Sequence, residues 1–302
     1  MDSSVTDDDT PTKPRRTDAE IVAELVTLLD VEELDVDLYR GHRQPGGRGR
    51  VFGGQVIAQA LQAAQRSTEG KIAHSLHAYF MRPGDEDYPI TYRVVRDYEG
   101  RSFANRRIIA MQRGVPILNM ISSFQGDEAG LHHQDVMPEV PPPDELRSEL
   151  ELRKENVEQI PERMRPFFLR RRPIEHRPVT PRFWSDPVKT DPHYQSWFRA
   201  IAPLPDDPAI HRAVIAYASD QALLGTAMLP HGVNWMTHNI QTASLDHAVW
   251  FHEPARADEW LLYTTDSPWA GHARGFNRGR IFDRSGRLVA STAQEGLMRM
   301  RE

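Results

Sequence analysis

Asp220 stands in the run AVIAYASDQALLG, residues 213–225, whose other side chains are those of a helix interior. Taking a carboxylate out of water without a partner costs several kcal/mol or drives its pKa upward. An acid at such a place therefore turns to solvent, finds donors, or does proton-transfer work. Two further polar groups fall in strand-like runs: Ser244 in QTASLDHAVWFH, and Gln294 in VASTAQEGLMR, in phase with Leu288 and Ala290 on one strand face. A carboxylate, a hydroxyl and an amide can together take a proton from water and hold that water for attack on an electrophilic carbon, with no covalent intermediate. The rival chemistry makes Ser244 a nucleophile with His247 as its base. Residues three apart on a strand face opposite sides, however, and no Gly-x-Ser-x-Gly elbow surrounds Ser244.

The elements that must carry these residues are read from periodicity. Asp220 shares a helical stripe with Ala213, Ala216, Tyr217, Leu223 and Leu224, the face expected to meet a sheet. A short amphipathic helix is expected after Asp18 as N-cap, in AEIVAELVTLLD. A second helix, in FGGQVIAQALQAAQRS, places Val56, Ile57, Ala60, Leu61 and Ala64 on one stripe behind Gly53-Gly54. Strand-like runs follow at 74–82, 88–96, 102–112 and 115–125, punctuated by Pro-Gly, Glu-Gly and Arg-Gly turns. A helix followed by consecutive strands predicts an α+β fold with an antiparallel sheet packed on that helix. Residues 1–18 read as a disordered tail, and 131–180, rich in Pro, Glu and Arg, as a surface linker with one short helix.

The second half repeats the first. QVIAQAL (55–61) matches AVIAYAS (213–219) at an offset of 158 (214 − 56). The stretch 80–113 lies over 251–284 without a gap at an offset of 171 (254 − 83), with Phe80/Phe251, Tyr92/Tyr263, Gly100/Gly271 and Arg107/Arg278 among the identical pairs. Such a period indicates duplication of one helix-plus-sheet unit, with a longer connection after the second helix through LLGTAMLPHGVNW. Two similar units place their sheets edge to edge or face to face about a pseudo-twofold axis. Polar groups present in only one copy then mark the chemistry: Asp220 aligns with Gln62, Ser244 with Ala73 and Gln294 with Ser123.

Composition narrows the classes. A net charge of −6 over 302 residues leaves no footprint for nucleic acid or an anionic membrane face. No stretch of about 18 apolar residues occurs, and the charged N-terminus lacks the apolar centre of a secretory signal. The C-terminal MRMRE is unlike a Ser-Lys-Leu peroxisomal address, so a cytoplasmic protein is expected. The absence of Cys excludes thiolate catalysis and Cys-ligated zinc, and His231, His238, His247 and His252 lack the spacing of a zinc helix, so no metal is expected. The run FFLRRRP (167–173) reads either as a contact for phosphates or as a solvated surface.

VFGGQVIAQAL, HSLHAYFMRPGD, YASD, ASLDHAVWFH and RGFNRGRIFDRSGRLVASTAQEG together resemble the type II acyl-CoA thioesterases, the TesB family, over about residues 20–300 except the linker. The resemblance implies two tandem hotdog folds, each a central helix wrapped by an antiparallel sheet: an N-terminal hotdog over 19–130 and a C-terminal hotdog over 181–302. It implies hydrolysis of acyl-CoA to fatty acid and CoA, with Asp220, Ser244 and Gln294 as the catalytic trio. No cofactor is implied, CoA being part of the substrate, and a homo-oligomer, dimer or tetramer, is. If the halves are related by a twofold axis, the start of the first hotdog helix points at the trio. The amides of Gly54 and Gln55 are then candidates for the oxyanion, the alternative being a glycine pair that serves only the tight helix start. Two other functions fit the fold: a non-hydrolytic acyl-CoA binding or sensing protein, and an enoyl-CoA hydratase, which would want an Asp/His pair that is not found near a helix start.

Overall fold

Helix α1 (Asp18–Leu29) is fixed by a capping box: the Thr17 side chain accepts from the Glu20 N–H while the Glu20 carboxylate accepts from the Thr17 N–H. The cap is thus Thr17 rather than Asp18. The computed structural model describes residues 16–44, 49–182, 187–235 and 238–301. Most of the expected 1–18 tail lies outside them, and its described end, 16–18, forms the start of α1. A hairpin of β1 (Val31–Asp35) and β2 (Leu38–Gly41) follows, then α2 (Gly53–Arg66), β3 (Ile72–Phe80), β4 (Ile90–Glu99), β5 (Phe103–Gln112) and β6 (Val115–Gln125). All residues of α2 from Gly54 to Ala64 are buried, as a helix enclosed on every side must be. Its buried amides find partners: Gln59 Oε1 accepts from the Tyr92 hydroxyl at 2.7 Å, and Nε2 donates to the His42 carbonyl at 2.8 Å.

The second half carries β7 (Ile174–Pro178), β8 (His193–Ala200), α5 (Pro208–Ser219), α6 (Leu223–Met228), β9 (Ile240–Ser244), β10 (Asp246–Phe251), β11 (Leu261–Gly271), β12 (Arg274–Asp283) and β13 (Leu288–Met300), numbered after α3 (Glu149–Glu155) and α4 (Arg165–Phe168) of the connecting stretch. The strands form one sheet in the order β1-β2-β4-β5-β6-β3-β10-β13-β12-β11-β8-β7, with β9 also on β13. That order reads the same from both ends once the halves are superposed. The halves join edge to edge through β3 and β10, where His77 lies opposite Ala248. These two are equivalents at the offset of 171 (248 − 77), so the pseudo-twofold axis passes between them. Helices α2 and α5 lie against each other inside the curved sheet, and the main core runs continuously through both halves.

Strand register corrects one pairing of the copies. Arg106 faces Ser122 where, 171 residues on, Asn277 faces Gln294. Gln294 is therefore the counterpart of Ser122, not Ser123, because the β12–β13 hairpin is one residue longer than β5–β6. The stretch 131–180 is also more than a linker. Its last part is edge strand β7, and Met137, Val140 and Leu146 pack on Trp197, Trp260, Leu262 and Phe282. It covers the outer face of the second sheet, which is why the first five residues of β11 are all buried rather than alternating. The longer connection after α5 folds as α6 directly on β12 and β13. A Cβ on Gly275 would stand 2.4 Å from the Ala227 Cβ, so glycine lets the helix sit that close.

Candidate active site

Helix α5 stops at Ser219, and Asp220 is its C-cap (φ −80°, ψ −8°) rather than a helix-interior residue. Its side chain is only 4% exposed and turns toward the sheet. Gln294 Nε2 donates to Asp220 Oδ1 at 2.7 Å, and Ser244 Oγ donates to the same oxygen at 3.3 Å. Gln294 Nε2 also lies 3.1 Å from Ser244 Oγ. The three residues anticipated from sequence, spread over 74 positions between Asp220 and Gln294, thus meet at one carboxylate oxygen. Burial pushes the Asp220 pKa up to about 6, opposed by the donors Gln294, the Gly54 amide and Ser244.

A second layer lies beneath Gln294. Its Nε2 is 3.1 Å from His247 Nδ1, and His247 Nε2 is 2.8 Å from Ser219 Oγ, which in turn donates to the Ala216 carbonyl at 3.0 Å. Only one proton arrangement satisfies this chain: Ser219 Oγ accepts from His247 Nε2–H, leaving Nδ1 bare to accept from the Gln294 amide. Burial holds the His247 pKa down at about 3, so the ring stays neutral and the arrangement persists. The chain decides which end of the Gln294 amide faces the carboxylate.

Ser244 and His247 both reach Gln294, contrary to the expectation that residues three apart on a strand diverge. The reason is a shift of one residue in pairing with β13: Ser244 faces Gly296 in β9, whereas Ala248 faces Ala293 in β10. The extra residue lies around Leu245, and Asp246 Oδ1 there accepts from the Glu295 N–H at 2.6 Å. Such a bulge reverses the alternation of everything beyond it.

The start of α2 closes the site from the first half. A Cβ on Gly53 would lie 2.7 Å from Asp220 Oδ2, so this position admits only glycine without displacement. Gly54 and Gln55, the residues anticipated for the oxyanion, stand in the first turn of α2. The Gly54 amide helps to hold the Asp220 pKa down against burial, the Gln55 N–H donates to the Phe52 carbonyl at 3.1 Å, and the Gln55 side chain donates to the His42 carbonyl. The sequence offers His247 only as the base of the rival Ser244 mechanism and Gly53 only as half of a glycine pair, and no local signal marks Ser219.

A buried acid with convergent donors, set where the helix of one sheet-wrapped unit meets the helix end of its duplicate, marks the candidate site of a double hotdog. The family model described as "Acyl-CoA thioesterase" matches residues 168–297, and "Acyl-CoA thioesterase N-terminal domain" matches 42–125. The chain is 41% identical over 286 residues to acyl-coenzyme A thioesterase 8 of Homo sapiens (92% of this chain, 89% of the relative), and 37% identical over 288 residues to acyl-CoA thioesterase 2 of Haemophilus influenzae (94% and 100%). Among solved structures it resembles acyl-CoA thioesterase II TesB2 from Mycobacterium marinum, with TM-score 0.75, 39% identity, and 92% and 98% of the two chains covered. A hot dog fold protein from Alicyclobacillus acidocaldarius, 19% identical with TM-score 0.73 over 92% and 99% of the chains, shares the fold. This chain belongs to the acyl-CoA thioesterase family.

Proposed function

We propose that the protein hydrolyses acyl-CoA to free acid and CoA by attack of an Asp220-activated water. Asp220 takes one proton as the water oxygen bonds to the thioester carbon. The tetrahedral intermediate then expels the CoA thiolate, which recovers that proton. A conjugate acid of pKa about 6 suits both halves: it is mostly ionised at neutral pH, yet acidic enough to protonate a thiolate. Ser244 and Gln294 keep Oδ1 occupied, so that Oδ2 is the basic oxygen presented to water. The developing oxyanion meets the positive end of α2, where Gly53 holds the first helical position and its N–H has no intrahelical acceptor.

The observation that carries this reading is the meeting of Gln294 and Ser244 on one oxygen of a buried carboxylate, in a chain of this family. Released thiol, followed with a thiol reagent across acyl-CoA lengths, tests it. A non-hydrolytic binder releases none, and undiminished release in Asp220→Asn would refute the mechanism. The homo-oligomer is part of the proposal and rests on family resemblance; sedimentation tests it.

A further inference from the structure

The stretch 131–180 brings arginines to a cavity of about 240 Å³ between α3, the start of α1 and the approach to β7. Its lining holds five guanidinium groups, from Arg153, Arg170, Arg171, Arg172 and Arg199, against three carboxylates, from Asp18, Glu149 and Glu175. The acids are already engaged: Asp18 with Arg171, Glu149 with Arg153, and Glu175 with Arg199 at 3.4 Å and with Arg177 at 2.8 Å. Two cations remain over. Arg170 and Arg172 flank the Phe167 ring at 4.6 and 5.3 Å, and Arg172 makes no hydrogen bond or ion pair with the described residues. Its Nε is inaccessible and unpartnered, as are those of Arg153 and Arg199. Burial and the nearby Arg153 pull the Arg172 pKa down to about 10, the signature of a guanidinium short of negative charge. A half-satisfied cationic cavity of this kind is costly to maintain without an anion.

One hydrogen bond links the cavity wall to the residue that follows Asp220. His176 in its wall lies 2.7 Å through Nε2 from Gln221 Oε1, and Gln221 follows Asp220 directly. Burial pushes the pKa of Tyr217, one turn earlier on α5, upward, with Arg172 and Arg170 opposing the rise and Asp220 adding to it. Several forked donors around one space suit the several oxygens of a phosphate better than a single carboxylate. We infer that this arginine cavity is a phosphate-binding site and that the phosphate it takes is carried by the CoA part of the substrate. The assignment rests on the thioesterase reading, and it gives the connecting stretch a role in binding. The run FFLRRRP, read from sequence as either a phosphate contact or a solvated surface, is here turned inward at Arg172.

The test compares acyl-CoA with the corresponding acyl-pantetheine, which has the same thioester and no phosphate. In Arg172→Gln the ratio of kcat/KM for acyl-CoA to that for acyl-pantetheine should fall about tenfold or more, the loss expected for a charge-assisted contact. Arg172→Lys, keeping charge without the fork, should fall between. An unchanged ratio in both variants overturns the inference. If the wild-type protein hydrolyses neither thioester, the thioesterase reading fails, and calorimetry with free CoA decides this one: weaker binding by Arg172→Gln supports the site, and equal binding refutes it. Inorganic phosphate that competes with CoA in the wild type but not in Arg172→Gln supports a shared site. Phosphate that binds through Arg172 without displacing CoA overturns the CoA assignment. Should Arg172→Gln fail to fold, Arg172→Lys and the phosphate competition carry the test.

Discussion

Replacing Asp220 by Asn should inactivate the protein and stabilise it at the same time. In the fold its carboxyl pKa stands at about 6 against an ordinary 3.8, chiefly because burial disfavours the charge. The folded protein therefore holds this proton more tightly than the unfolded chain. Its contribution favours the fold below about pH 4 and is lost as pH climbs through 6. A shift of roughly 2 pK units corresponds to roughly 3 kcal/mol of destabilisation at neutral pH. Asn removes that charge and still accepts from Gln294 and Ser244 at Oδ1, but it turns an amino group toward the positive start of α2 at Gly53. That mismatch gives back about 1–2 kcal/mol. The net gain is on the order of 1–2 kcal/mol, a rise of a few degrees in Tm. Thermal unfolding at pH 5, 6 and 7.5 should show the gap between variant and wild type widening with pH. Thiol release should drop about 10²–10⁴-fold, and wild-type kcat/KM should fall about tenfold between pH 7 and 5 as the base is protonated. A variant that melts lower than wild type at pH 7.5, or a wild-type rate flat through pH 6, would refute the account of a strained buried base.

Four other outcomes follow from the geometry. His247→Leu leaves the Gln294 amide without the acceptor that orients it, so kcat should fall about tenfold or more with KM little altered; His247→Asn, which keeps an acceptor, should recover part of it. Because the His247 pKa is held at about 3 against 6.5, its neutral burial favours the fold above about pH 6.5 and loses that advantage as pH falls toward 3, so His247→Leu should flatten the acid side of a Tm-versus-pH curve. Gly53→Ala sets a methyl 2.7 Å from Asp220 Oδ2 and should lower kcat/KM far more than Tm, measured side by side. Gly275→Ala meets the unyielding Ala227 Cβ and should cost about 1–3 kcal/mol in denaturant unfolding, with the loss reduced in Gly275→Ala/Ala227→Gly.

Much of this molecule was legible in the chain as written. The helix stripes, the turns and the offset of 171 lead to a duplicated helix-and-sheet unit, because periodicity and turn chemistry are local properties that survive without knowledge of the fold. The types of Asp220, Ser244 and Gln294, present in one copy only, marked the half that carries the polar trio. What needed tertiary structure were facts of register and distance. The one-residue shift around Leu245, which brings His247 round beside Ser244, exists only as a pairing of β9 and β10 with a strand some fifty positions away. The end of α5 at Ser219, the close approach of Gly53 to Asp220, and the inward turn of Arg172 likewise depend on what packs against each residue. Residue identity states which groups can exchange a proton. Only the packed fold decides which of them lose water, and with it the ordinary pKa that would keep an aspartate idle.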